Sequence, residues 1–72
     1  MKIYIETEYI ALDSAMKLAS LVSTGGEAKN VIADGLVKVN GNVCTMRGKK
    51  LFPGDSFSYD GQKVEVAADG EK

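Results

Sequence analysis

The chain has 72 residues, of which 44% are hydrophobic and 26% charged, enough for one folded domain, although so short a chain buries only about 60% of the surface its unfolded form exposes. The formal net charge of −1 argues against a uniformly basic nucleic-acid binder, yet residues 29–50 carry +4 between flanks of −2 (residues 1–28) and −3 (residues 51–72), and local field rather than net charge governs contact with an anionic polymer. There is no histidine, which excludes serine–histidine and cysteine–histidine nucleophile pairs and removes the usual transition-metal ligand set.

Lys2 to Thr7 reads as a short strand, because Ile3 and Ile5 alternate with Lys2, Tyr4 and Glu6. From Leu12 to Val22 the apolar positions Leu12, Ala15, Met16, Ala19 and Val22 follow helical spacing, with Asp13 as the N-cap of a helix starting at Ser14. Leu18 and Leu21 widen the apolar face, and Lys17 is spaced to pair with Asp13. Thr24-Gly25-Gly26-Glu27 has the form of a capping box, so a second helix starts at Gly25. Ala28, Val31 and Ile32 make its inward face, and Gly35 suits a left-handed stop. With Ser23 and Thr24 between them, the two helices are expected to form a tight pair.

Leu36 to Met46 reads as a hairpin around Asn40-Gly41-Asn42, for which two registers compete. A turn on Asn40-Gly41 sets Val39 opposite Asn42, whereas a turn on Gly41-Asn42 sets Val39 opposite Cys44 and Val37 opposite Met46. The second is preferred because it gathers apolar residues on the core face and leaves Lys38 on the other. Arg47-Gly48-Lys49-Lys50 follows as an exposed basic loop, then Pro53-Gly54-Asp55 turns the chain. A second hairpin about Asp60-Gly61 sets Phe57 opposite Val64 and Ser58 opposite Lys63. Residues 67–72 lack periodicity and are expected to form a frayed tail on a single domain of residues 1–66. The expected class is α+β, two short helices packed on a small, mostly antiparallel sheet of hairpins.

Little in this chain suits catalysis. Cys44 falls in a strand facing the core, where a cysteine behaves as a small inert hydrophobe, and Asp13, Asp34, Asp55 and Asp60 fall on caps and turns. No cofactor or metal is implied. A lone cysteine fits a reducing cytoplasm better than an oxidising compartment, and no apolar run approaches the roughly 20 residues needed to cross a bilayer, so no membrane partner is expected.

Gly25 and Gly26 are more informative. Free N–H groups and the positive dipole end at a helix start attract anions, and glycine lets a phosphate come close; the competing reading is that the glycines allow close helix packing. Lys29, three residues after Gly26, lies away from the Ala28, Val31 and Ile32 face and is placed to reach the same phosphate. Arg47, Lys49 and Lys50 would add backbone contacts, unless they form an ordinary solvated loop. Phe57 reads as core, leaving Tyr4, Tyr9 and Tyr59 as the candidate stackers, so phosphate and shape recognition is favoured over base readout.

In linear order, Leu12-Asp13 at a helix start, Gly25-Gly26-Glu27-Ala28-Lys29, Gly35, Val37-Lys38-Val39-Asn40-Gly41 and Pro53-Gly54-Asp55 resemble the S-four, or alpha-L, RNA-binding domain, over about residues 10–59. Residues 23–29 and the basic loop before Leu51 are similar to its small stand-alone bacterial members, the YaaA/YbcJ-like branch. The resemblance implies a non-enzymatic module binding structured RNA, ribosomal or transfer-RNA-like, within or beside a ribonucleoprotein. It implies Lys29 as the second-helix cation, Lys38 and Asn40 from the hairpin motif, and Arg47, Lys49 and Lys50 as the basic loop. Ala11 stands where many members have arginine, Gly25 falls near another usual arginine, and Lys29 replaces a third, so affinity is expected to be weaker or directed differently. The other reading is a protein-interaction or replication-associated accessory module using the same basic surface; neither reading fixes an oligomeric state.

Overall fold

Alternation at period two gives Ile3 and Ile5 one buried face, and the same pattern recurs over residues 37–39, 56–59 and 62–66. The computed structural model describes residues 1–71. Strands β1 (Lys2–Ile5), β3 (Val37–Val39), β4 (Asn42–Val43), β6 (Ser56–Tyr59) and β7 (Gln62–Ala68) form one sheet in the order β1-β7-β6-β3-β4, and β2 (Ile10–Ala11) pairs with β5 (Lys50–Leu51) in a second, two-stranded sheet. Helices α1 (Leu12–Leu18) and α2 (Gly25–Ala33) pack on each other. Leu12, Ala15, Met16, Ala28 and Ile32 from the helices share one core with Ile3, Ile5, Val37, Val39, Leu51, Phe57, Val64 and Val66 from the strands. This is the expected α+β fold, with one parallel pairing, β1 on β7, in an otherwise antiparallel main sheet.

The second hairpin has the expected register, Phe57 opposite Val64 and Ser58 opposite Lys63, with Asp60 and Gly61 both at positive φ in the turn. The first hairpin corrects the preferred register. Its turn is Asn40-Gly41, at φ 50° and 86°, so Val39 faces Asn42 and Lys38 faces Val43. Turn chemistry prevails because β4 has almost nothing to bury: Val43 is 58% exposed, and slipping the register would gain no apolar contact to offset losing a favoured two-residue turn.

Helix α1 begins earlier and ends sooner than its apolar spacing predicts. Ala11, not Asp13, is the N-cap, and it offers no side-chain cap; the Asp13 carboxylate instead accepts a bond from Ser14 N at 2.8 Å. At the other end Ser20 sits at φ 60°, Ser20 N bonds Lys17 O and Leu21 N bonds Met16 O, a Schellman closure without glycine. Helix α2 closes the same way around Gly35, at φ 75°, with Gly35 N on Ile32 O and Leu36 N on Val31 O. A helix stop of this kind at serine has no composition signal, so the predicted helix overruns it. Strand β7 likewise runs through Ala67 and Ala68, with Ala67 buried and paired to Tyr4, past the Val66 boundary expected from the sequence; residues 69–71 form a 3-10 turn, and the expectation for Lys72 lies outside the described residues. No described helix is long and apolar enough to cross a membrane.

Candidate nucleic-acid interface

The start of α2 is built by Thr24 and Glu27. Glu27 N donates to Thr24 Oγ1 at 3.1 Å, and the Glu27 carboxylate accepts from Ser23 N at 2.7 Å, so the box closes one residue earlier than its usual form. Ala28 N bonds Thr24 O, which leaves the N–H groups of Gly25 and Gly26 ahead of the intrahelical ladder. A β-carbon on Gly25 would lie 3.9 Å from Lys17 Nζ, and one on Gly26 would lie 3.9 Å from Thr24 Oγ1, both ordinary contacts. Close helix packing therefore does not require these glycines. Lys17 reaches across the helix pair to Gly25, and no ion pair with Asp13 forms among the described residues. Lys29 is exposed on α2.

The basic segment is fastened to the other helix. Leu12 N donates to Lys49 O at 2.9 Å and Asp13 N to Arg47 O at 3.1 Å, so carbonyls of this segment satisfy two of the N–H groups that a helix start leaves unpaired. The backbone cap that Asp13 was expected to supply comes from 34 or more residues downstream. Lys49 N also turns back to Met46 O. Arg47, Lys49 and Lys50 all expose their side chains. Lys50 is not a loop residue: it lies in β5 opposite Ala11, with its ammonium 4.9 Å from the centre of the Tyr9 ring. Tyr9 and Phe52 lie one step beyond the Ile10–Leu51 pair, and their rings meet at 5.8 Å and 50°. Two-residue strands have no readable period, which is why the sequence does not announce this aromatic pair.

The hairpin residues divide. Lys38 lies in a cross-strand row with Ser58 and Lys63, and those three line a hollow on the sheet that shares Asn40 with a second hollow lined by Lys49 and Met46. Asn40 is engaged at both ends of its amide: Nδ2 donates to Asp55 Oδ1 at 3.2 Å, and Oδ1 accepts from Ser56 N at 3.0 Å. Asp55 Oδ2 accepts from Phe52 N at 2.8 Å. The Asn-Gly turn and the Pro-Gly-Asp turn thus bond to each other. Cys44 is half-buried against the core, with its backbone N–H on Val37 O and its thiol directed at Met46 O, 3.6 Å away. Among the described residues no group of histidine, cysteine or carboxylate side chains could hold a metal ion.

Residues 3–67 match the family model described as S4 domain. The chain is 39% identical over 59 residues to RlbA of Bacillus subtilis, whose name makes it a candidate ribosome maturation protein; the match covers 82% of this chain and 83% of that one. It is 37% identical over 60 residues to YbcJ of Escherichia coli, named as a candidate RNA-binding protein, covering 83% of this chain and 86% of the relative.

Proposed function

The chain belongs to the S4 domain family, and from that premise we propose that it is a non-enzymatic module that binds structured RNA through phosphate backbone and shape. The observation that carries this reading is the basic segment: Arg47 and Lys49 expose their side chains from a backbone tied at 3.1 and 2.9 Å to the start of α1. Cations on a fixed backbone lose less conformational freedom on meeting a phosphate than cations on a free loop. The start of α2 supports it, with two glycine N–H groups outside the helical ladder and Lys17 and Lys29 on the same helix pair. RNA in folded, largely helical form fits better than an extended single strand, since phosphates dominate such recognition. The name of YbcJ supports RNA in general, and that of RlbA, a candidate ribosome maturation protein, favours ribosomal RNA as the target.

The test is competition. Labelled chain is bound to a folded ribosomal RNA fragment, and unlabelled transfer RNA, duplex DNA and the same fragment are added in turn at one salt concentration. The fragment should displace itself at the lowest concentration and duplex DNA at the highest. Equal competition by DNA would contradict recognition of RNA shape, and no binding to any structured RNA would contradict the function.

A further inference from the structure

We propose that Tyr9 and Phe52 form a shelf on which one unpaired RNA base stacks, with Lys50 holding the phosphate next to it; this rests on the RNA-binding reading and names the part of the RNA that the site takes. The aromatic residue of the core, Phe57, is 1% exposed, whereas Tyr9 and Phe52 are 40% and 42% exposed. Their contact with each other, at 5.8 Å between centroids, leaves about two-fifths of each residue open. The shelf is held from behind. Tyr9 borders β2 and Phe52 borders β5, whose pairing of Ile10 with Leu51 is anchored by fully buried Leu51. Thr7 Oγ1 donates to Tyr9 O at 2.8 Å and Phe52 N donates to Asp55 at 2.8 Å, so both ring-bearing backbones are fixed without any ligand.

Charge selects the occupant. Three cations, Arg47, Lys49 and Lys50, precede Phe52 within five residues, and the Lys50 ammonium already lies over Tyr9 at 4.9 Å, an attraction between cation and ring face. A base that stacks on Tyr9 displaces this ammonium from the ring face, and the released lysine stays within one side chain's reach of the phosphate attached to that base. An aromatic surface beside such cations suits a nucleotide, whose ring stacks while its phosphate pairs. The base must be unpaired, because a base inside a duplex hides both faces against its neighbours.

The experiment compares a blunt RNA duplex with the same duplex carrying one bulged adenosine, at one salt concentration. Stacking of a base on an aromatic side chain corresponds to a preference on the order of 5- to 100-fold for the bulged RNA in the parent chain. The double variant Tyr9→Leu/Phe52→Leu should bind the plain duplex as the parent does and lose the preference. A parent with no preference, or a double variant that keeps it, overturns the shelf and leaves backbone binding of RNA standing; failure of the parent to bind either RNA overturns both readings. In the unaltered chain, whose folding is not at issue, the ring protons of Tyr9 and Phe52 should shift upfield in the NMR spectrum when bulged RNA is added. Unmoved ring signals at saturating RNA would likewise overturn it.

Discussion

Through its side-chain amide, Asn40 ties the Asn-Gly turn to the Pro-Gly-Asp turn by bonds to Asp55 and Ser56. As part of a Val-Lys-Val-Asn-Gly run it reads as a contact residue, but its amide bonds Asp55 and Ser56 while its backbone sits at φ 50°, where asparagine is tolerated better than most residues. Its role in the fold is therefore explained without RNA. Asn40→Ala removes both amide bonds and keeps the left-handed backbone, so urea unfolding should show a loss of about 1–3 kcal/mol. Asp55→Ala should cost a similar amount, and the double variant less than the sum of the two, because the residues share a bond. Additive losses would show that the two turns are stabilised independently. Ser20 makes the opposite case, a residue whose left-handed backbone nothing in the sequence signals. Ser20→Gly relieves that conformation and should raise stability by about 1 kcal/mol, measured the same way, with no change in RNA affinity.

Elements with a long apolar period were legible: the alternation of β1, β6 and β7 and the inward face of α2 all appear where the pattern puts them. Elements set by backbone bonds to distant residues were not. The start of α1 depends on the carbonyls of Arg47 and Lys49, and β2 and β5 exist as two-residue strands because they pair with each other; neither leaves a local signal. The register of the first hairpin follows the φ demands of Asn40-Gly41 rather than apolar pairing, because its strand β4 is exposed throughout. At α2 the sequence and structure agree on the start, and the space around Gly26 separates the two readings of its glycines. A side chain at Gly26 meets only Thr24 Oγ1, at 3.9 Å, so Gly26→Asp should fold with near-parental stability, checked by circular dichroism. If phosphate approaches these N–H groups, the added carboxylate should lower RNA affinity several-fold. Unchanged affinity in the folded variant would remove the start of α2 from the interface.

Across the whole molecule, the sequence's charge segregation survives folding but resolves into separate places. Lys29 and Lys17 belong to the helix pair, Arg47, Lys49 and Lys50 to the segment fastened on α1, and Lys38 to a sheet row with Lys63. If these cations act on one RNA backbone, binding should weaken steeply with salt. If Lys29, Lys38, Arg47, Lys49 and Lys50 each neutralise one phosphate, the slope of log affinity against log salt should be about −4.5 for a duplex and about −3.5 for a single strand, and partial engagement gives less. Changing Lys49 and Lys50 together to alanine should leave stability nearly unchanged, because both side chains are exposed. The most direct measurement is RNA binding across a salt series for the parent and the Lys49→Ala/Lys50→Ala variant. The variant's slope should be shallower by roughly one to two units; identical slopes would remove Lys49 and Lys50 from the RNA contact.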